Sequence, residues 1–366
     1  MDRSTFFKGV AAGAIGLPLV LRSLMGEAQA QEFETDERRF KWSMVTTWPP
    51  TLPVLADGCQ LLADLVRQMS SGRLDITVYG AGEMVPALET FDTVSKGGAE
   101  MGSGAAYYWA GKAPAAQFFG GLPFGLNAQQ MNAWLLAGGG LELWRELYAN
   151  FNLRPFVGGN TGVQMGGWFN KEVNSLMDFQ GLKMRMPGIG GRVLERLGGS
   201  PVLMPADELY ISLERGVIDA TEWVGPYHDY VMGLHEISSY YYYPGWHEPA
   251  TAFEFMVNLD AWKELPPDLQ MMLEVATHYI NMYTLCELET HNAEHLAMIR
   301  ELDHVEVRPY PQEVLDAARI AAREVAEELA DSDPFARRVY DQILEFKRKA
   351  SAWADVTERQ YYESLS

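Results

Sequence analysis

The chain has 366 residues, of which 48% are hydrophobic and 21% carry a charge. This composition is typical of a globular protein with one large domain or two ordinary ones, and it excludes a disordered chain. The formal net charge of −20 repels phosphate backbones and anionic lipid headgroups, so we expect no nucleic-acid partner. Two cysteines, Cys59 and Cys286, are too few for a disulfide scaffold. We expect Cys59, which lies among leucines, to be a buried free thiol.

The first thirty residues have the pattern of a secretory signal peptide. Arg3 and Lys8 form a short charged start, residues 9–21 are small and apolar, and residues 28–30 match the pattern that signal peptidase cuts. We expect residues 1–30 to be removed and the product to reach the periplasm; the alternative is an N-terminal core helix. The leader has one Arg where the Tat pattern has two, so Sec and Tat export both stay open. No later apolar run is long enough to span a bilayer, and we expect no stable membrane insertion.

The chain then alternates between strand and helix patterns. Phe40–Thr46 is predicted to be a strand, and the apolar residues of 62–69 recur at helical spacing. Leu74–Tyr79 alternates between apolar and polar residues as a half-buried strand does, and residues 88–94 mark a second helix. Strand and helix in this order are typical of an α/β fold with parallel strand pairing.

A second alternation follows, and the last third of the chain is mostly helical. The patterns predict strands at residues 154–157, 164–169, 182–186, 201–204, 217–223, 240–243, 252–259 and 304–308. They predict helices at residues 192–197, 207–215, 267–302, 312–330 and 334–357. Two α/β lobes with a helical tail follow from this order, and ligands of such folds bind beyond the carboxyl ends of strands, often between domains.

Two short segments carry residues suited to ligand chemistry. Arg185 lies inside an otherwise apolar strand just before a Pro-Gly break, and its planar guanidinium suits a carboxylate. The alternative for Arg185 is a surface cation on an edge strand. Glu222 and Trp223 come at the carboxyl end of a predicted strand, where a cleft would lie. The alternative here is a capped surface strand with an exposed Glu and a packed Trp.

At these residues the sequence resembles a known family. The order of segments is similar to that of the DctP-like family, the periplasmic substrate-binding proteins of TRAP transporters, over roughly residues 40–344. The supporting segments are residues 90–104, 121–124, 181–185 and 213–222. Within the family, residues 222–227 and 241–248 resemble the branch that binds 2-oxo acids or lactate with a metal ion.

The resemblance implies an α/β, two-lobed periplasmic-binding-protein fold with an interlobe cleft, hinge strands and long C-terminal helices. It divides the chain into a signal peptide at residues 1–30, lobe I at 31–155, lobe II at 156–243, a return to lobe I with a long helix at 244–310, and a helical tail at 311–366. It also implies a homodimer built by a swapped C-terminal helix. The apolar stripe for this contact is Phe335, Val339, Ile343, Phe346 and Trp353.

The resemblance also implies a set of binding residues. Arg185 would clamp the ligand carboxylate, and Gln164 would contact both ligand and metal. The remaining metal ligands would be Glu222, the Trp223 carbonyl oxygen and Glu248, with a surface role as the alternative for Glu248. The further ligand-binding residues would be Asn160 and Tyr107 as hydrogen-bond donors, with Trp223 and Trp48 as an apolar wall. For Tyr107 and Trp48 a packing role is the alternative.

These ligands and this family imply transport rather than catalysis. Hard oxygen donors suit calcium or sodium rather than zinc, and two acidic ligands favour calcium over sodium. The protein would capture a small monocarboxylate, either a 2-oxo acid such as pyruvate or a 2-hydroxy acid such as lactate. It would deliver that acid to the TRAP membrane permease subunits without covalent chemistry. Handing the closed form to a signalling receptor is a further possibility that the residues leave open.

One motif points to a different chemistry. His291, Glu294 and His295 match the H-x-x-E-H pattern of inverzincins, and the two histidines share a helix face as zinc ligation requires. A secreted zinc metallohydrolase is therefore the alternative function. The competing interpretation is a solvated helix face with incidental histidines, because five-residue motifs recur by chance.

Overall fold

The computed structural model describes residues 37–365, and the predicted signal peptide lies outside them. Within this range eleven strands form two mixed sheets. The strands are β1 Phe40–Thr46, β2 Leu74–Tyr79, β3 Met101–Ala105, β4 Leu153–Asn160, β5 Gly167–Phe169, β6 Lys183–Arg185, β7 Ser200–Val202, β8 Ala220–Thr221, β9 Tyr240–Tyr243, β10 Ala252–Asn258 and β11 Glu306–Pro309.

Helices cover both sheets and form the end of the chain. The α-helices are α1 Leu55–Met69, α2 Thr90–Ser95, α3 Gln117–Gly120, α4 Ala128–Ala137, α5 Gly140–Ala149, α6 Gly188–Arg196, α7 Leu209–Glu214, α8 Pro226–Val231, α9 Leu234–Ile237, α10 Leu259–Glu264, α11 Pro267–Arg300, α12 Gln312–Ala330, α13 Pro334–Val356 and α14 Glu358–Leu365. Short 3-10 turns lie at Ala87–Glu89, Ala106–Trp109, Pro114–Ala116, Leu176–Phe179 and Ala206–Glu208.

The five-stranded sheet, here called lobe I with its helices, has the strand order β2-β1-β3-β10-β4. The first three strands run parallel, as the strand–helix alternation of the sequence predicts. Strand β10 inserts antiparallel between β3 and β4, although about one hundred and fifty residues separate it from β3 in the chain. Its seven residues are all buried, because both faces of the sheet are covered.

The six-stranded sheet, here called lobe II, has the order β11-β9-β5-β8-β6-β7. Strand β4 leaves lobe I at Asn160 and β10 re-enters it at Ala252, and a third connection runs through α11 to β11 in lobe II. The carboxyl end of β4 and the amino end of β10 are paired, Asn160 opposite Ala252. The cleft residues discussed below lie beside these two crossings, where hinge strands are predicted.

The three long C-terminal helices, α11, α12 and α13, pack on the outside of the two lobes. The 34-residue helix α11 packs on β4 and α1 with its first half and on α8 further along, so it reaches both lobes. Helix α12 packs on α6, and α13 packs on α4 and α5 through buried Val339, Tyr340 and Ile343. No helix within residues 37–365 has the length and apolar character needed to cross a lipid bilayer.

Two predicted strands are shorter than expected. Of residues 164–169 only β5 pairs, and it begins at Gly167, whose positive φ angle of 118° departs from an extended strand. Of residues 217–223 only β8 pairs, since its neighbours β5 and β6 have three residues each. Gln164, Glu222 and Trp223 therefore lie in loops just outside the sheet.

The segment division proposed from sequence stays a prediction, with one difference in strand placement. Strand β11 lies within residues 244–310, which we assigned to lobe I, yet it pairs in parallel with β9 at the edge of lobe II. The helix α11 carries the chain back across both lobes before β11 begins, and the periodicity of a helix does not reveal where it ends in space.

Candidate functional site

Three loops meet beyond the ends of the lobe II strands. The backbone amide of Met165 donates to the Val224 carbonyl at 3.2 Å, and that of Gln164 donates to the Glu248 carbonyl at 3.3 Å. The amide of Gly245 donates to the Gln164 carbonyl at 2.9 Å. These bonds bring the loops after β4, after β8 and after β9 together, so residues far apart in the chain share one site.

Arg185 is the central cation of this site. It ends β6 and is only 1% exposed. One terminal nitrogen is ion-paired with the Glu222 carboxylate and donates to the Glu222 carbonyl at 3.1 Å, while the other donates to the Tyr108 hydroxyl at 3.2 Å. Its Nε lies 3.4 Å from the Met204 carbonyl, and its guanidinium lies 4.9 Å from the Trp223 ring centre. The interpretation of Arg185 as a surface cation is therefore wrong.

Glu222 is approached from a second side by a histidine that the sequence analysis did not select. Its Oε2 lies 3.3 Å from His247 Nε2, and both side chains are 1% exposed. Neither ring nitrogen of His247 makes a hydrogen bond within the described part of the chain. A sequence signal for His247 was its position directly before Glu248. The sequence alone does not show in which direction a loop side chain points.

Glu248 forms the other acidic corner, and its surface alternative is wrong because it is 7% exposed. It accepts from Gln164 Nε2 at 2.7 Å and from the Thr251 hydroxyl. Burial, together with the negative charge of Glu222, raises the pKa of Glu248 to about 7. The carboxylates of Glu222 and Glu248 are both buried and interact with each other, so a positive charge beside them is favoured.

The donor atoms at this corner fit a hard cation. The Oε1 of Gln164 is buried and accepts no hydrogen bond within residues 37–365. With the carboxylates of Glu222 and Glu248 it offers the mixed oxygen set that calcium and sodium prefer. Across the described range no cluster of three or more His, Cys, Asp and Glu side chains is placed to hold a metal, so an amide or carbonyl oxygen is needed to complete a site.

A small cavity adjoins Arg185. It is lined by Trp48, Tyr107, Tyr108, Arg185, Trp223, Val224 and Phe253. Its volume of about 10 Å³ is close to the space of a single water molecule, so the lobes are closed over it. A larger groove of about 490 Å³ beside Arg39 and Glu100 contains none of the predicted ligand-binding residues. We therefore place the candidate site at the small cavity, because the buried charges converge there.

The cavity wall is aromatic and fixed by packing. Trp48 donates its indole N–H to the Ser103 hydroxyl at 3.0 Å and packs edge-on against Phe253 at 5.0 Å. Tyr107 and Tyr108 pack edge to face at 4.9 Å on one 3-10 turn. Trp48 and Tyr107 thus both lie in the cavity wall. Their packing is observed, and contact with a ligand stays a prediction. Tyr108 and Phe253 are wall residues that the sequence analysis missed.

Asn160 lies outside this wall. Its amide nitrogen donates to Asn132 Oδ1 at 3.2 Å, and its oxygen accepts from the Gly162 backbone at 3.0 Å. The amide oxygen is therefore engaged in the turn that leads from β4 to Gln164, and the amide nitrogen is engaged with α4. Contact between Asn160 and a ligand stays a prediction, and the geometry supports a role in shaping that turn.

The histidine motif on α11 does not build a metal site. His295 Nδ1 lies 2.8 Å from the backbone oxygen of His291, one turn earlier, and His291 contacts Glu294 at 3.1 Å. The Tyr227 ring packs against both imidazoles at 4.7 and 4.6 Å. The pair forms part of an aromatic cluster on the helix, and the metallohydrolase alternative has no support.

The fold and the site together define a two-lobed α/β solute-binding protein whose cleft holds a buried arginine beside two buried carboxylates. Residues 44–333 match the DctP family, described as bacterial extracellular solute-binding protein, family 7. The chain is 43% identical over 321 residues to the monocarboxylate 2-oxoacid-binding periplasmic protein of Nostoc sp., covering 88% of each. The chain belongs to the DctP family and is a solute-binding protein of a TRAP transport system, which confirms the family and function predicted from its sequence.

Solved structures of relatives share this fold. A TRAP periplasmic solute-binding protein of Pseudoalteromonas atlantica with bound sodium and pyruvate is 42% identical, with a TM-score of 0.87 over 90% of this chain and 100% of that one. The protein of Colwellia psychrerythraea with bound calcium and pyruvate is 40% identical, with a TM-score of 0.87 over 89% and 100%. That of Bordetella bronchiseptica, a mixed-occupancy dimer with calcium and picolinate, is 38% identical, with a TM-score of 0.87 over 90% and 97%. The predicted fold class is confirmed.

Proposed function

We propose that this protein captures a small 2-oxo or 2-hydroxy monocarboxylate, of which pyruvate and lactate are examples, together with a metal ion. It does so in the periplasm and delivers the acid to TRAP membrane permease subunits, without covalent chemistry. The observation that carries this proposal is the fully buried Arg185 beside an aromatic cavity and two buried carboxylates. The family and the pyruvate-bound relatives support the ligand class.

Arg185 binds the ligand carboxylate in this proposal. Its guanidinium is now paired with Glu222, so an incoming carboxylate competes with Glu222 for the same donors. The present cavity has about the space of one water molecule, so an incoming acid must displace the Glu222 side chain or part the aromatic walls, and this favours acids with a short side chain. Tyr107 and Trp223 contact the ligand from these walls, and Asn160 holds the turn before Gln164.

The metal ligands are Gln164 through its free Oε1, Glu222, the Trp223 carbonyl and Glu248. A bound ion supplies positive charge that the carboxylate and the 2-oxo or 2-hydroxy oxygen of the ligand chelate. Two acidic ligands favour calcium over sodium, although solved relatives hold either ion. Glu222 and Glu248 need such a charge once a ligand carboxylate has taken Arg185, because an unpaired buried carboxylate is costly.

The test is calorimetric titration of pyruvate and lactate into the full-length mature protein, with added calcium, with added sodium, and with EDTA. Arg185→Met should weaken binding about 100-fold or more, since a desolvated carboxylate loses its charge partner. Arg192→Met is the matched control, because Arg192 is a surface residue paired with Glu328 at 3.1 Å and lies outside the cavity. Near-wild-type affinity of Arg185→Met would remove Arg185 from the site, and a wild type that binds neither acid would reject the proposed ligand class.

We also propose a homodimer that uses the end of the chain. Helix α13 packs part of the predicted stripe on its own chain, since Val339 and Ile343 are buried. Beyond them the apolar side chains are exposed, with Trp353 at 66% and Tyr362 at 70%. Exposed apolar side chains clustered at one end favour a contact with another surface, and the dimeric relative supports a second copy.

A further inference from the structure

The loop of residues 244–248 carries two site residues, His247 and Glu248. It contacts Phe124, which is distant in the chain. The backbone amide of Phe124 donates to the Trp246 carbonyl at 2.8 Å. The Phe124 and Trp246 rings are stacked, with centroids 6.0 Å apart and planes inclined by 21°. Phe124 therefore touches this loop through both its backbone and its side chain.

Phe124 is held in an unfavourable backbone conformation. Its φ angle is +53°, in the left-handed region that is unfavourable for a residue other than glycine. Such a conformation persists only where the surroundings hold it, and strained residues of this kind cluster at functional sites. The Arg319 guanidinium of α12 lies 5.0 Å from the centre of the Phe124 ring, so the C-terminal helices are part of those surroundings.

Helix α13 supplies the second support. Lys347 donates its ammonium to the Phe124 carbonyl at 2.5 Å. Its side chain is half-buried, and no carboxylate of the described chain lies within ion-pair distance of it. Burial lowers the pKa of Lys347. Two residues on, Lys349 is exposed and forms an ordinary i,i+4 pair with Glu345 at 2.6 Å. Lys347 is thus directed at one backbone carbonyl, whereas Lys349 belongs to the surface.

We propose that Phe124 and Lys347 are positioning residues of the cleft, through which helix α13 holds the 244–248 loop and its His247 and Glu248. The support runs from Lys347 to the Phe124 carbonyl, and from the Phe124 amide and ring to Trp246. The role given to Glu248 in this inference rests on the proposed function. The contacts from Lys347 through Phe124 to Trp246 do not depend on that function.

Hydrogen exchange in the ligand-free protein tests the support directly. The loop amides are hydrogen-bonded, Gly245 to the Gln164 carbonyl at 2.9 Å and Trp246 to that of Pro244 at 2.9 Å, so their exchange reports local opening. Lys347→Met keeps the apolar stem and removes the donor. We expect exchange in residues 244–248 to be at least about 5-fold faster than in wild type. Lys349→Met removes the same charge without touching the loop and should leave exchange unchanged.

The same variants are then titrated with calcium and pyruvate. Lys347→Met should weaken both about 10-fold, Lys349→Met should leave both affinities as in wild type, and Lys347→Arg should restore them, since it keeps a cationic donor. Equal exchange in the two methionine variants would overturn the proposal, and so would faster exchange with unchanged affinities. A wild type that binds neither probe would reject the proposed function, and the exchange comparison would then decide the support on its own.

Discussion

Arg185, Glu222, His247 and Glu248 are buried together, with exposures of 1%, 1%, 1% and 7%. Little water reaches them, so their charges interact strongly and each depends on its neighbours. A substitution that removes one member leaves another without its partner. Single changes here should therefore have far larger effects than changes in the exposed ion pairs on the helices.

Glu222→Gln should lower metal affinity at least about 10-fold, because changes even in the outer shell of metal sites cost about 10–100-fold and Glu222 is proposed as a direct ligand. The amide keeps an oxygen near Arg185 but loses the negative charge. Metal content after dialysis, measured by inductively coupled plasma mass spectrometry, checks this. Glu236→Gln, on the exposed side of α9, is the control. Unchanged metal content in Glu222→Gln would remove Glu222 from the metal ligands.

Glu254, which is not a proposed metal ligand, should make the free energy of unfolding depend on pH. It is fully buried on β10 and accepts from the Trp109 indole at 2.5 Å, and burial raises its pKa from 4.5 to about 7. Between these values the folded protein keeps a proton that the unfolded chain has released, so stability falls as pH rises. The part of this loss that Glu254 contributes should approach about 1.4 kcal/mol per pH unit, and Glu254→Gln should lack that part.

Urea unfolding at about pH 5 and about pH 7 measures this difference. The quantity of interest is the change in unfolding free energy between the two pH values, compared between wild type and Glu254→Gln. Exposed Glu289→Gln is the control and should follow wild type. The same pH dependence in all three proteins would show that Glu254 does not keep its proton in this range.

At the scale of elements, the C-terminal helices serve two purposes. The first half of α13 contributes to the core through Val339, Tyr340 and Ile343, and Lys347 supports the cleft from its next turn. From Ala350 to the end of the described chain no residue is fully buried, and α14 packs mainly on α13. Structural support and assembly are therefore separable along one helix.

Deleting residues 353–366 should give a monomer with little loss of stability of the single chain, because no described residue of the deleted segment is fully buried. Light scattering after size-exclusion chromatography measures the mass, and thermal unfolding measures the stability. Deletion from Asp333 onward is a poorer test, since it also removes the buried face of α13. A dimer that persists after deletion of residues 353–366 would place the interface elsewhere.

At the scale of the whole molecule, the closed cavity and the two crossing strands indicate how binding works. Strands β4 and β10 join the lobes beside the site, and α11 packs against both lobes. A ligand that contacts Arg185 from lobe II and the Trp48 wall from lobe I interacts with both lobes only when they are closed. Binding therefore shifts the population toward the closed form, which is the form proposed for delivery to the permease.

Ligand and metal should stabilise the protein together. At a free pyruvate concentration of 100 times its Kd, stability rises by about 2.7 kcal/mol, which corresponds to about 5 °C in Tm for a chain of this size. Because metal and pyruvate share the site, EDTA should reduce the pyruvate-induced Tm shift by more than half. The metal and pyruvate should each raise the affinity of the other by the same factor. Differential scanning fluorimetry with pyruvate, calcium and EDTA checks this. A shift that is the same with EDTA, in a buffer free of sodium, would reject a metal-assisted site.

The long helices and parallel strands were predictable because their signals are local. The predicted helix at residues 312–330 coincides with α12, and Phe40–Thr46 and Leu74–Tyr79 coincide with β1 and β2. Their hydrophobic periods repeat over several turns or pleats. The predicted strands at 164–169 and 217–223 shrank to β5 and β8, because glycine conformations and the length of neighbouring strands decide where pairing stops.

What the sequence determined by itself is the chemistry available: an Arg in an apolar strand, a Glu-Trp pair at a strand end, and an order of segments specific enough to indicate the family. Only the tertiary structure decided which of these groups meet. It brought His247 beside Glu222 and Tyr108 to Arg185, engaged the two amide atoms of Asn160 with Asn132 and the Gly162 backbone, and set Lys347 against Phe124 from 223 positions away. The reason is physical: a residue type and its spacing specify local periodicity, whereas contacts across loops depend on how the two sheets and the C-terminal helices pack together.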